Sequence, residues 1–238
     1  MGQYSVTVTM SGATVQALYQ SGYFLNAFGV VRSSDHAASP VVWMQSQSYM
    51  QNTVLTWTGD LQGYLSASSL VVGGRISVGF SEPMSLGQLL TVNNGSGVVS
   101  DSGVPNSISI LNSSTTPFVT GLVQGSSPNV GPICALPLYG QGLQIIQPVP
   151  SIFLMMSTIS QTPGTVVVRS TGPGMLFSLS DSAQRTVSYD INQGWSAGGM
   201  VWAQNVPANA PLSPLLTGYS TSLASSAFRM QKLLNTEI

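Results

Sequence analysis

VVWMQSQSYMQNTVLTW, residues 41–57, holds two tryptophans, a tyrosine and two methionines, and no charged side chain. Its second half decides how the chain is read. In TVLTW (53–57), Leu55 and Trp57 fall on one face and Val54 and Thr56 on the other. A two-residue period of this kind marks a strand with one buried face. VVWMQ reads as the neighbouring strand, which predicts core positions for Trp43 and Trp57. SQSYMQ becomes the loop between them, and it offers Tyr49 and Met50 as contact residues for a ligand or partner.

The same pattern extends outward in both directions. YSVTVTM (4–10) alternates strictly, with Val6 and Val8 on one face. GRISVGF, QLLTV, NSISIL, PFVTGLV, SIFLMMS, GTVVVRS, GMLFSLS, RTVSYDI and GMVWAQ continue the series. Turn-forming clusters such as VNNGSG, GSSPNVGP and QTPG separate them. Many short strands at this spacing predict an all-β fold, an antiparallel β-sandwich or barrel-like unit. No helix-length periodicity suggests a parallel βαβ architecture.

The expected organisation is one β-sandwich unit over 1–220, followed by an amphipathic helix over 221–238. A tandem of two related halves, about 1–115 and 116–220, is the alternative. YFLNAFGVV before PVVWM in the first loosely matches PFVTGLV before ICALPLYG in the second. The helix TSLASSAFRMQKLLNTEI starts with Thr221 or Ser222 as N-cap. It sets Leu223, Ala227, Met230 and Leu234 on one face, for packing on the sandwich or for assembly. Leu223, Met230 and Leu234 are therefore the candidate self-association residues.

Charge is the unusual property. Charged residues form 5% of the 238 positions, against about 25% in an ordinary domain. Six Lys plus Arg and seven Asp plus Glu give a net charge of −1. Scattered cations in such numbers do not neutralise a phosphate backbone, so no nucleic-acid partner is expected. A surface this poor in charge lacks the repulsion that keeps molecules apart, which predicts a homo-oligomer. Few titrating groups also predict a weak dependence of stability on pH.

Catalytic and metal signatures are weak. GWSAG (194–198) fits G-x-S-x-G, but a strand and a proline-containing loop follow it where the nucleophile elbow needs a helix. The one histidine, His36, precedes Ser196 in the chain, the reverse of that fold's order. Cys134 is the single cysteine, so no internal disulfide forms. No catalytic residue, metal or cofactor is expected. The N-terminus has neither a basic region nor a continuous apolar stretch, and IFLMM (152–156) is too short to span a bilayer. The expected location is cytoplasmic, or outside the cell after release without a leader, with no transmembrane segment.

Uncharged rings among amides provide the remaining chemistry. Sugar sites stack a ring on a pyranose face while amides and hydroxyls take its hydroxyl groups. Trp195, Tyr139 and Tyr49 sit in or beside turns and are the candidates for that role. In the first third of the chain, PVVWMQSQSYMQNTVLTWTGDLQGYLSAS followed by VVGGRIS resembles a pattern in RhiA-like small soluble β proteins. Trp43, Trp57 and Tyr64 carry it, and VVGGRIS departs from it by having glycines where a proline belongs. The resemblance implies an abundant β protein and no catalytic residues.

Three functions remain in view. The first is a non-enzymatic binding or structural protein that self-associates. The second is a glycan-binding, lectin-type defence protein. The third is a membrane-active toxin whose uncharged strands refold into a barrel.

Overall fold

Leu143–Ser157 is a 15-residue strand around which the other elements are arranged. The computed structural model describes residues 2–125 and 131–234. Along this strand Ile152, Leu154 and Met156 enter the main apolar core, while Phe153 and Met155 enter a second cluster with Phe28, Val206 and Leu216. A strand buried on both faces has no polar positions to alternate with, which is why IFLMM reads as an unbroken apolar run.

One edge of this strand pairs with Phe24–Ser33 along most of its length. Its other edge pairs with Ile108–Asn112 over residues 143–146 and with Gly174–Ser178 over residues 151–155. Pro148 and Pro150 occupy the interval that neither of these two neighbours covers. Proline has no N–H to give to a ladder, so an interval with a partner on one edge at most is where it does least harm. The register with Phe24–Ser33 slips in the same place, between Val149 and Ile152.

Three sheets result, and each takes strands from both sides of residue 115. A nine-stranded sheet contains the long strand and extends to Ala203–Val206 at one end and to Leu89–Asn93 and Ser96–Ser100 at the other; Met44–Ser46 and Thr217–Tyr219 pair on Phe24–Ser33. A four-stranded sheet runs Gly194–Ser196, Gln184–Asp190, Gln3–Thr9, Asn52–Thr58. A six-stranded sheet runs Ser39–Pro40, Cys134–Leu138, Phe118–Gln124, Leu61–Ser66, Phe80–Met84, with Gly131–Pro132 beside Phe118–Gln124.

The all-β expectation holds, with corrections of detail. Pairing is mostly antiparallel, but Gln3–Thr9 with Gln184–Asp190, Leu89–Asn93 with Ile108–Asn112, and Phe24–Ser33 with Thr217–Tyr219 are parallel. VVWMQ and NTVLTW are not paired strands. Met44–Ser46 joins Phe24–Ser33, whereas Asn52–Thr58 joins Gln3–Thr9 in a different sheet. Alternation within TVLTW is as expected, with Trp57 buried and Val54 and Thr56 exposed. GRISVGF up to Gly79 and GTVVVRS are loops tied by isolated bridges, Arg75 to Thr165, Val41 to Val166 and Arg169 to Pro211. In GMVWAQ the first four residues form a turn, and the strand starts at Ala203.

A helix, Gly12–Gln20, lies where strands alone were expected. Ser11 caps it, its hydroxyl accepting the Thr14 N–H at 3.1 Å. Leu18 is its one buried apolar residue, too little to write a 3.6-residue period into the sequence. The terminal helix is Thr221–Leu234, with Ser220 rather than Thr221 or Ser222 in the capping place. The Ser220 hydroxyl takes the Leu223 N–H, and its carbonyl takes the Ala224 N–H at 3.0 Å. Residues 235–238 of the expected helix lie outside the described residues. Among the described residues no helix is long and apolar enough to cross a membrane.

Candidate functional site

The two tryptophans of the opening stretch meet where the three sheets converge. Their rings are edge to face at 5.4 Å, and Tyr4 stacks on Trp57 at 5.7 Å. The Trp43 indole N–H donates to the Gln124 carbonyl at 3.1 Å, so its polar atom is satisfied while the ring is buried. Beside them opens a cleft of about 380 Å³, completed by Leu61 and Met84 of the six-stranded sheet and by Pro148 and Pro150 of the long strand. No Asp, Glu, Lys, Arg or His lines it. Tyr64 is buried and donates its hydroxyl proton to the Cys134 carbonyl at 2.9 Å.

A second feature lies between the two halves of the opening stretch. The free sides of Met44–Ser46 and Asn52–Thr58 flank a groove of about 260 Å³, lined by Met44, Gln45, Ser46 and Thr53–Thr56. Asn52–Thr58 pairs only with Gln3–Thr9 among the described strands, so its outer backbone groups face this space unpaired.

Edge chemistry differs between the sheets. Phe80–Met84, Ser39–Pro40 and Gly131–Pro132, on the margins of the six-stranded sheet, carry Glu82, Pro83, Pro40 and Pro132. Charges and prolines at an edge discourage pairing with another chain. The edges of the other two sheets, Asn52–Thr58, Gly194–Ser196, Ser96–Ser100 and Ala203–Val206, contain neither a charged residue nor a proline. Val54 and Val98 on them are exposed.

A third feature is polar. At the carboxyl ends of the parallel strands Gln3–Thr9 and Gln184–Asp190 lies a pocket of about 580 Å³, rich in amides and hydroxyls. Asp190 is its one charged group. Its Oδ1 accepts the N–H of Asn192 at 2.9 Å and of Gln193 at 3.1 Å, and its Oδ2 accepts the Thr14 hydroxyl at 2.9 Å. The Asn192 amide first, then Thr14 and Gln193, hold the Asp190 carboxyl below its ordinary range.

The residues singled out from sequence separate into distinct places. Tyr49 is 7% exposed, with its hydroxyl on the Tyr23 carbonyl at 3.1 Å, so it anchors its loop and is not displayed by it. Burial raises its pKa. Met50, next to it, is 72% exposed. Trp195 is 5% exposed and donates its indole N–H to the Pro173 carbonyl at 3.0 Å, and it is among the residues around the polar pocket. Tyr139 is 66% exposed in the turn before Gln141, whose carbonyl accepts from Gln231 of the terminal helix at 2.7 Å. Leu223 is buried and Met230 is partly buried. They pack with Leu89, Leu143 and Ile145 of the helix's own molecule. The side chain of Leu234 lies outside the described residues. Phe228 is the aromatic this helix exposes.

Ser196 sits in a hairpin strand and accepts the Gly198 N–H at 3.2 Å, with no helix following as an elbow requires. His36 stacks on Tyr219 at 3.6 Å. Among the described residues no three of His, Cys, Asp and Glu gather as a metal site. Cys134 is buried, which pushes its thiol up to about 12. Compared with known proteins, the chain matches no family model, and neither a curated protein nor a solved structure matches it.

Proposed function

We propose that this is a non-enzymatic binding and structural β protein that associates with copies of itself through its uncharged strand edges. The observation that carries this reading is the contrast between edges. Proline and glutamate guard the six-stranded sheet, while the four- and nine-stranded sheets end in strands with no such residue. Unpaired N–H and C=O groups along Asn52–Thr58 are satisfied by a strand of a second copy as well as by water. With 5% charged residues, little long-range repulsion opposes the encounter.

Leu223 and Met230 have no part in this arrangement, because they hold the terminal helix to its own sheet. Association through edges uses backbone groups and exposed side chains such as Val54, and leaves the core intact. Static light scattering over a concentration series at low ionic strength tests the reading. A mass that climbs with concentration is expected. A constant monomer mass up to the highest concentration overturns it.

A further inference from the structure

The polar pocket has features that edge pairing does not use. It is built from four separate parts of the chain: the end of Gln3–Thr9, the residues Gln51 and Asn52, the end of Gln184–Asp190, and the hairpin strand Gly194–Ser196. Its volume of about 580 Å³ suits a small ligand. We propose that it binds a neutral polyhydroxylated ligand, a carbohydrate residue, through Asp190, Gln51, Asn52 and Gln193.

The chemistry selects this class over the others. Among the described residues no Lys or Arg lines the pocket and the one ionised group in it is a carboxylate, so an anion would meet repulsion without a counter-charge. A divalent cation needs several oxygen ligands held around it, commonly more than one of them carboxylate. Asp190 stands alone and has spent three of its acceptor positions on Asn192, Gln193 and Thr14. A carboxylate has about four such positions. The one left on Oδ2 can accept a hydroxyl proton. Amides both donate and accept, which is what a ring of hydroxyls requires.

The Trp195 side chain beside the pocket is fixed in advance. Trp195 meets Tyr189 edge to face at 5.0 Å, and its N–H is already given to Pro173. It therefore brings no unsatisfied donor to the pocket. The three bonds on Asp190 likewise hold the carboxylate in place before any ligand arrives, so little ordering is left to oppose binding.

The test is titration of the intact protein with neutral methyl glycosides and short neutral oligosaccharides, followed by ligand-observed NMR, beside carboxylated and sulfated sugars. Gln51→Ala and Gln193→Ala change exposed amides outside the core; Asp190→Asn keeps the shape and removes the charge. Saturable binding of a neutral sugar is expected, weakened about tenfold by either glutamine variant, as for the loss of one ligand hydrogen bond. The thermal midpoints of the glutamine variants should match the parent protein. No saturable response from any neutral sugar up to about 10 mM, a range that captures even millimolar affinity, overturns the proposal. So does tighter binding of the anionic sugars, or binding that both glutamine variants leave unchanged.

Discussion

Trp43 and Trp57 touch edge to face at 5.4 Å although their flanking strands belong to different sheets. The contact joins the nine-stranded sheet's margin to the four-stranded sheet, and Tyr4 extends it by stacking on the other ring. Trp57→Ala removes the ring at this junction. The expected cost is about 3–5 kcal/mol, the range for deleting a buried aromatic, read from the midpoint of denaturant unfolding. A loss of less than about 1 kcal/mol, as at a surface site, would show that the junction is not part of the core.

Leu223 holds the terminal helix against Leu89, Leu143 and Ile145. Leu223→Ala is expected to lower stability by about 2 kcal/mol, the lower end for such a truncation because the site is at the margin of the sheet. Native mass should not change. A fall in mass at equal concentration would return the helix face to the assembly role.

Alkali should act more strongly than a chain with so few charges suggests. Burial raises the Cys134 thiol from 9.0 to about 12. Burial, then the charges of Tyr23 and Asp190, raise the Tyr189 phenol from 10.0 to about 12. Each folded-state value lies above the unfolded one, so the unfolded chain releases its proton first. Stability is then complete below pH 9 and falls between pH 9 and 12. A single such group gives a slope of at most about 1.4 kcal/mol per pH unit. Cys134→Ala should flatten the onset near pH 9; an unaltered alkaline limb would contradict the assignment.

Acid reveals the opposite sign at Asp190. Its folded-state pKa is depressed, so its contribution is present above the unfolded value of about 4 and disappears as pH falls through the lower folded value. Asp190→Asn should therefore be less stable than the parent at pH 7, and the gap should narrow in acid. A gap independent of pH would mean that the ionised carboxylate is not what the turn and Thr14 hold.

Strand existence was legible in this sequence because alternation at Val6, Val8, Leu55 and Trp57 reports which face is buried, and the structure buries those faces. Pairing was less legible. VVWMQ and NTVLTW look like a hairpin, yet Tyr49 in their connection is anchored to Tyr23 and the two strands leave for different sheets. The Gly12–Gln20 helix was hidden because one buried leucine carries no period. GTVVVRS has strand composition but lies as a loop with Val166 and Val167 buried, Val167 in the cluster of Phe28 and Phe153 and Val166 beside Val41 and Tyr64. Trp195 was found as a residue beside a turn, but its pocket partners come from distant segments that only the parallel pairing of Gln3–Thr9 with Gln184–Asp190 assembles. The absence of charge was visible at once. Its concentration on two sheets' edges, with proline and glutamate kept to the third, was not, since it depends on knowing which strands are edges.

The most direct test of self-association through uncharged edges is the native mass, by sedimentation velocity, of the parent protein and of Val54→Lys/Thr56→Lys at equal concentration and low ionic strength. Both positions face solvent on Asn52–Thr58, so the substitutions add edge charge without touching the core. The expected result is an oligomer for the parent and a shift to monomer for the variant, with the thermal midpoint of the monomer preserved. An identical mass distribution for the two proteins would contradict assembly through this edge.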